Sequence, residues 1–265
     1  MKAIKAVFLF VFSILLASCF ESPEFPDTPN IELVGIDFYL APTPARQDSL
    51  VVELAFEDGN GDLGLGEEYR DFPFHEYDLF LTDGTAITTA IRNKYPSAAS
   101  QFAVLDVPDD ATGLLTRFGD SPSLPDNCEN YKTLQLYVED ADRSIFDDSY
   151  NAVQQQGYWQ VSGKFLVENN PYNKNIHVIF LRKENGKFVK YEWPFCQTFD
   201  GRFTTLTDDP RPLSGTITYT MSSFGFASVM GDPNTEWQMK FVVFDRERNK
   251  SDTVTTQFYL RDITR

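Results

Sequence analysis

Basic residues are scarce in this sequence, and histidine and cysteine are scarcer still. There are 23 Lys and Arg residues against 39 Asp and Glu residues, which gives a formal net charge of -16 at pH 7. Nucleic-acid binding needs a basic surface that neutralises phosphates, so this charge disfavours DNA and RNA as partners. It is compatible with binding of divalent cations. The two histidines, His75 and His177, lie about a hundred residues apart, which favours surface or edge positions over a paired role.

Only the beginning of the chain contains a long apolar run. Residues 6–16 read AVFLFVFSILL and lead into LASC, which ends at Cys19. A membrane-spanning helix needs about 20 apolar residues, so this run is too short for a comfortable span. It resembles a bacterial lipoprotein signal, which implies a signal peptide at residues 1–18, cleavage before Cys19 and lipidation of that cysteine. The alternative is an ordinary secretory signal that ends by chance at a cysteine.

The segment after Cys19 lacks basic residues altogether. Residues 20–30, FESPEFPDTPN, contain three acidic residues and three prolines. Such a composition keeps a segment extended and unpacked, so we expect an acidic, proline-rich tether at residues 19–30. Acidic residues directly after a lipidated cysteine resemble the export signal of surface lipoproteins from Bacteroidota. The resemblance implies an outer-membrane anchor and leaves open which face of that membrane carries the protein.

The sequence contains 3 cysteines, and the lipid anchor takes Cys19. Cys128 and Cys196 remain as an even pair in an oxidising compartment, and we predict a disulfide between them. In the loop-entropy model such a bridge stabilises the fold by roughly 4 to 5 kcal/mol. Two buried free thiols are the alternative.

Strand patterns dominate the rest of the sequence. Apolar and β-branched residues recur in the pattern of strands at 31–40, 49–56, 132–140, 158–168, 213–221, 236–244 and 252–260. Residues 175–193 are typical of a hairpin around an Asn-Gly turn. Strands separated by turns, without long helical periods, predict an all-β fold, an immunoglobulin-like β-sandwich over residues 31–265. Few clean strands occur at about 71–170, so we interpret this region as a long insertion, with a short helix at 147–156. Two tandem sandwiches are the alternative.

The segment EDGNGDLGLG, residues 57–66, follows a predicted strand and alternates oxygen-bearing side chains with glycine. In calcium loops, side chains at positions 1, 3 and 5 converge on one ion, and glycines permit tight wrapping. Asp58, Asn60 and Asp62 are therefore candidate calcium ligands. The loop lacks imidazole and thiolate groups, which disfavours zinc. A solvated turn is the alternative, because Asp-Gly and Asn-Gly are ordinary turn dipeptides.

The same loop departs from the EF-hand pattern at two positions. Leu63 replaces the glycine at position 6, and Tyr69 replaces the bidentate glutamate at position 12. A calcium shell of six to eight oxygens therefore needs further ligands. Glu67 and Glu68 are the nearest candidates along the chain.

A second loop can supply the missing ligands. If segments 49–56 and 236–244 are the second and sixth strands of the sandwich, they run in the same direction. The loops that follow them then lie at the same end of the fold. We therefore expect Asp245 to complete the site, with Asn249 as a further candidate.

A family resemblance rests on blocks of sequence spread along the chain. The blocks read FEDGNGDLGL, NPYNKNIHVIFLRKENGKF, CQTFDGRFTTL, PLSGTITYTMSSFGF and DRERNKSDTVTTQFYL. In this order they resemble a family of Bacteroidota outer-membrane lipoproteins that pair an early Asp- and Gly-rich loop with a late DRxxNxS turn. The resemblance covers most of residues 31–262. It implies an envelope location and an immunoglobulin-like sandwich, and it carries no defined activity.

Signals for catalysis are weak. Residues 119–123, GDSPS, lack the G-x-S-x-G nucleophile elbow, and no carboxylate pair stands out as glycosidase-like. The acidic segment 200–209 is a candidate for a second ion, although a solvated loop is the more common structure. Five aromatic residues between 191 and 203 are candidates for sugar stacking, although alternate aromatics are more often sandwich core.

We therefore expect a non-enzymatic, lipid-anchored outer-membrane protein that acts as a calcium-stabilised interaction module. The expected partner is an envelope assembly for nutrient uptake, secretion or β-barrel assembly. A glycan-binding surface lipoprotein is the alternative, and it requires an exposed aromatic platform. A hydrolase would require a cleft with converging carboxylates.

Overall fold

The computed structural model describes most of the chain after the predicted signal. It covers residues 24–43, 45–66, 68–90, 103–108, 113–116, 125–127, 129–146, 150–155, 157–207 and 209–265. Several sequence predictions lie outside the described residues: the signal peptide, lipidated Cys19, Glu67, the GDSPS segment and Cys128. No helix of the described residues is long and apolar enough to cross a membrane.

Strands make up most of the regular structure. In chain order they are β1 (Asn30–Tyr39), β2 (Asp48–Asp58), β3 (Tyr77–Phe80), β4 (Ala86–Ala90), β5 (Ala103–Asp106), β6 (Tyr131–Val138), β7 (Asn151–Gln155), β8 (Tyr158–Asn169), β9 (Ile176–Glu184), β10 (Lys187–Lys190), β11 (Leu213–Ser223), β12 (Trp237–Val243) and β13 (Val254–Phe258). The helices α1 (Phe226–Met230) and α2 (Leu260–Ile263) are short, and 3-10 turns occur at Asp140–Ile145, Pro171–Asn173 and Pro194–Cys196.

Two sheets form the sandwich. One has the strand order β1-β2-β11 and the other has the order β10-β9-β12-β13, with antiparallel pairing throughout. Alternate residues of β2, from Leu50 to Phe56, are buried and pack with residues of the other sheet in one apolar cluster. Trp237 and Phe241 of β12 lie fully buried in that cluster. The prediction of an all-β sandwich is therefore confirmed.

The hairpin predicted at 175–193 is also confirmed. Strands β9 and β10 pair from Glu184 and Lys187 outward, and Asn185 and Gly186 form the turn. Both turn residues have positive φ, 50° and 79°. This is the conformation that a two-residue type I′ turn requires and that Asn-Gly adopts readily.

Strands β3 to β8 form a third sheet with its own apolar cluster. Its order is β3-β4-β5-β6-β8-β7, and β3 also pairs with the end of β8, which closes five strands into a ring. The cluster inside includes Leu79, Ile87, Leu136, Val161 and Phe165. This sheet occupies the region interpreted as an insertion between the early and late strands. The short helix predicted at 147–156 is wrong, because residues Asn151–Gln155 pair with β8 as strand β7.

One arginine joins the loop before β3 to the sandwich. The guanidinium of Arg202 donates to the backbone carbonyls of Asn173 (2.5 Å), Tyr69 (2.6 Å), Phe74 (3.0 Å) and Gly66 (3.2 Å). Burial, assisted by the nearby charge of Arg70, lowers the pKa of Arg202 to about 10. The side chain thus satisfies carbonyls that no strand pairs, which fixes Gly66, Tyr69 and Phe74 against the sandwich.

Cys196 is disulfide-bonded. Its predicted partner, Cys128, lies outside the described residues, so the pairing stays a prediction. Glu129, the next residue along from Cys128, lines the same cavity as Cys196. This proximity is what a bridge between the third sheet and the sandwich requires.

We expect Arg202→Met to lower the free energy of unfolding by about 3 kcal/mol, because the carbonyls of Asn173 and Tyr69 lose their donor and those of Phe74 and Gly66 lose one of two. Urea denaturation measures the change. Arg261→Met is the matched control, since Arg261 is exposed and pairs only loosely with Asp262 at 3.4 Å. We expect the control to stay within about 0.5 kcal/mol of the parent. A similar small change in Arg202→Met would show that the carbonyl contacts do not hold the junction.

Candidate metal centre

Two loops that are distant in sequence meet at one end of the sandwich. The first follows β2 and carries Asp58 and Asp62, and the second follows β12 and begins with Asp245. A backbone bridge between Leu63 and Asp245 joins them. Each of the three aspartates offers a carboxylate oxygen that lies within 4.8 Å of the oxygens from the other two. Two oxygens on one calcium ion are at most about 5 Å apart, twice the Ca–O distance, so this spacing fits a single ion.

Two of the carboxylates each have one oxygen fixed and one without a partner. Asp58 is fully buried, and its Oδ2 accepts a hydrogen bond from the backbone N–H of Leu63 at 2.9 Å. In Asp62, Oδ2 accepts from the N–H of Glu247 at 3.0 Å. The Oδ1 atoms of Asp58 and Asp62 are buried and have no hydrogen-bond partner among the described residues. Buried oxygens of this kind normally have a donor or a cation beside them.

The third carboxylate is oriented by its own turn. Asp245 is 3 % exposed. Its Oδ1 accepts from the backbone N–H of Asn249 at 2.7 Å, and its Oδ2 accepts from the Asn249 side-chain amide at 2.8 Å. Asn249, a candidate ligand from the sequence, therefore contacts Asp245 through its donor groups and positions that carboxylate. Sequence reasoning did not identify this supporting role.

Other predicted ligands have different places. The Oδ1 of Asn60 accepts from the backbone N–H of Asp62 at 3.3 Å, which makes an Asx turn that shapes the loop. Glu68 is exposed and lies outside the three-carboxylate cluster, where its side chain folds back toward Gly66. Glu67 is outside the described residues. The structure thus brings together Asp58, Asp62 and Asp245.

Burial makes these three side chains costly to ionise. It is the main cause that raises the pKa of Asp58, of Asp62 and of Asp245, and the neighbouring carboxylates add to each increase. The pKa of Asp62 rises to about 6. The nearby charge of Arg246 acts in the opposite direction on Asp58 and Asp62 without reversing the shift. A bound divalent cation would supply the missing positive charge, and the all-oxygen donor set suits calcium.

The glycines of the loop have a role that the sequence interpretation missed. A Cβ on Gly61 would lie 2.3 Å from the carbonyl oxygen of Arg211, and one on Gly64 would lie 2.4 Å from that of Thr204. Both glycines also have positive φ, 70° and 104°. Residues 204–205 and 209–211 therefore cross directly over the loop, so these positions require glycine for close approach as well as for wrapping around an ion.

The weaker candidates from the sequence occupy structural positions. The Nδ1 of His177 contacts Asp200 at 3.2 Å, and the Nε2 of His75 contacts Asp78 at 2.9 Å. Among the described acidic residues, segment 200–209 contributes none to a metal-binding cluster. Trp193 and Phe199 are buried in the sandwich core and pack edge to face against each other.

Comparison of the chain with protein-family models, with curated proteins and with solved structures finds no match. Interpretation of the centre therefore depends on its own geometry. That geometry fits a calcium ion through its oxygen spacing, its two unpartnered buried oxygens and its uncompensated negative charge.

Calcium is expected to raise the melting temperature of the chelator-treated protein. An ion at 100 times its dissociation constant stabilises the folded state by about 2.7 kcal/mol, or roughly 5 to 10 °C for a chain of this size. Asp62→Asn should abolish the increase, because an amide nitrogen replaces the unpartnered oxygen while the bond from Glu247 can remain. In chelator the same variant should be at least as stable as the parent, since it removes a partly buried charge.

Asp252→Asn is the matched control for this experiment. Asp252 is exposed, follows the turn that begins at Asp245, and does not belong to the cluster. The control should keep the full calcium response in differential scanning calorimetry. Melting curves of the parent that are the same in calcium and in chelator would contradict a calcium centre.

The pKa of Asp62 gives a pH dependence of definite sign. Its value is 3.8 in the unfolded chain and about 6 in the folded protein, so the folded state binds the proton more tightly. In chelator, this group's contribution to stability should fall as pH rises from about 4 to about 6 and then level off. Protons and calcium compete for the same oxygens, so the calcium-induced rise in melting temperature should grow over that interval. Melting temperatures with calcium and with chelator, recorded at several pH values for the parent and for Asp62→Asn, measure this dependence. A calcium-induced rise in melting temperature that does not change with pH would exclude these carboxylates as ligands.

Proposed function

We propose that this protein is a lipid-anchored outer-membrane protein whose calcium-stabilised, immunoglobulin-like sandwich acts as an interaction module of a larger envelope assembly. The observation that carries the proposal is the three-carboxylate centre, with Asp58 and Asp245 almost fully buried and two oxygens without partners. An ion at that place ties together loops from distant parts of the chain. This is the role of a structural ion, because a catalytic metal keeps a coordination position open to substrate.

The strand order supports the immunoglobulin-like assignment. A three-stranded sheet faces a four-stranded sheet, and strands that follow one another within the sandwich, such as β2 and β9, belong to opposite sheets. Folds of this kind recur in cell-surface proteins that bind other proteins. Val34, Tyr39 and Leu40, on and just after the edge strand β1, are 57 %, 46 % and 60 % exposed, which supplies apolar surface for such a contact.

The alternatives receive less support from the described residues. Glycan binding required an exposed aromatic platform, but Trp193 and Phe199 are only 8 % and 6 % exposed. A hydrolase required a cleft with converging carboxylates of raised pKa. The carboxylates with raised pKa belong to the metal centre, and none of them lines the cavity of about 620 Å³ beside His177 and Asp200.

The anchor and the membrane are supported by sequence. The LASC pattern that ends at Cys19 resembles a lipoprotein signal, and an acidic segment follows it. The blocks that resemble Bacteroidota lipoproteins include both loops of the metal centre, FEDGNGDLGL and DRERNKS. The same segments of the chain therefore support both the proposed membrane location and the proposed calcium site.

Affinity purification of the tagged lipoprotein from detergent-solubilised outer membranes tests the assembly. We expect at least one envelope protein to copurify in stoichiometric amount, identified by mass spectrometry. Cys19→Ser is the matched control, because it removes the lipidated residue and should leave the folded domain unchanged while releasing the protein from the membrane fraction. Recovery of the protein from membranes as a monomer without partners would contradict the assembly role. Retention of Cys19→Ser in the membrane fraction would contradict the lipid anchor.

A further inference from the structure

We propose that calcium at the three-carboxylate centre docks residues 24–29 of the tether onto the loop that carries Asp58 and Asp62, and so shortens the link between the domain and its membrane anchor. The inference deepens the proposed function and rests on it, since it takes the calcium ion and the lipid anchor from there. It makes the metal centre a regulator of how the domain is held at the membrane.

The tether touches the metal loop at one defined point. The backbone N–H of Gly59 donates a hydrogen bond to the carbonyl of Pro26 at 2.8 Å. Among the described residues, this is the hydrogen bond that joins residues 24–29 to the rest of the chain. Pro29 is buried, and β1 starts at the next residue with Asn30 opposite Glu57. The extended, unpacked tether expected from composition is therefore attached at its far end.

Gly59 allows this contact because it has no side chain. A Cβ at this position would lie 2.4 Å from the carbonyl oxygen of Phe25 and 2.8 Å from that of Pro26. Unlike Gly61 and Gly64, Gly59 does not have positive φ. Its backbone conformation is open to any residue, so the requirement for glycine comes from the tether alone.

The position of Gly59 couples the tether to the ion. It follows Asp58 directly and lies between two of the three carboxylates. A bound cation draws Asp58 and Asp62 toward one point and fixes the short backbone between them. Without the cation, ionised carboxylates repel one another at this distance, and the backbone N–H loses its fixed direction. Coupling is reciprocal, so tether docking must in turn strengthen calcium binding.

Docking shortens the maximum distance between lipidated Cys19 and the first fixed residue of the domain. From Cys19 to Phe25 the chain has six residue steps, which span at most about 20 Å when extended. Release of the tether moves the first fixed point to Pro29, ten steps from Cys19, and extends the limit to about 35 Å. Calcium would thus hold the end of the sandwich that contains the metal centre close to the membrane.

Cleavage after Glu24 by a glutamate-specific protease measures docking in the detergent-solubilised lipoprotein. Glu24 is exposed and directly precedes the docked residues. We expect cleavage to be about tenfold slower in calcium than in chelator, within the usual range of coupling between two sites. Equal cleavage rates in the two conditions would overturn the proposal.

Gly59→Ala separates docking from metal binding, because it blocks the tether and leaves all three carboxylates in place. The variant should be cleaved rapidly with or without calcium. It should keep a calcium-dependent rise in melting temperature, with calcium affinity reduced about tenfold, because the coupling between docking and calcium binding is reciprocal. Gly35→Ala is the matched control, since a Cβ on Gly35 meets only the end of the Glu53 side chain at 4.0 Å. Should Gly59→Ala fail to fold, the comparison of the parent with and without calcium decides alone.

The results distinguish this proposal from the proposed function. A parent protein whose melting temperature does not respond to calcium would remove the metal centre and the docking together. A calcium response that Asp62→Asn abolishes, combined with calcium-independent cleavage after Glu24, would keep the metal centre and remove only the docking.

Discussion

The fold places three like charges together at one end of its sandwich, and the rest of the arrangement depends on how that repulsion is compensated. Their carboxylate oxygens lie within 4.8 Å of one another, and two unit charges at that distance repel by about 3.5 kcal/mol at an effective dielectric constant of 20. Three such pairs approach the whole net stability of an ordinary domain, about 5 to 15 kcal/mol. Hydrogen bonds from Leu63, Glu247 and Asn249 offset part of this cost, and two oxygens are left without donors. Either protons or a cation must supply the remainder, and at neutral pH a divalent cation does so more completely.

Three backbone segments also cross closely over the same loop. Gly59, Gly61 and Gly64 each face a different backbone segment: the tether, residues 209–211 and residues 204–205. Each crossing leaves no room for a Cβ, so the loop cannot move without disturbing all three segments. Electrostatic strain and steric crowding therefore act on one stretch of ten residues. An ion that fixes the loop fixes its neighbours as well.

Sequence reasoning succeeded where one local rule determines the result. Alternation along 49–56 and 236–244 predicts β2 and β12, and the common direction expected of these strands predicts that Asp245 lies beside Asp58, as it does. In the third sheet the strand patterns at 132–140 and 158–168 predict β6 and β8. The short strands β3, β4 and β5 were not predicted, because they have only four or five residues and their pairing depends on distant partners. The same limit explains the wrong helix at 147–156, where pairing with β8 overrides local preference. The close crossings over Gly59 and Gly61 left no signal, since glycine in a turn has an adequate local explanation.

The third sheet is connected directly to the loop of the candidate metal centre. The chain enters this sheet directly after the metal loop, and in the connecting stretch Arg202 holds the carbonyls of Gly66, Tyr69 and Phe74 against the sandwich. It leaves through Asn170 and Asn173, whose amides donate to carbonyls of that same stretch, Pro73 and Phe74. The loop that binds the tether on one side is thus continuous with the base of the insertion on the other. A cation that orders this loop would set the position of both the membrane link and the inserted sheet, so one site could govern how the whole molecule is presented to a partner.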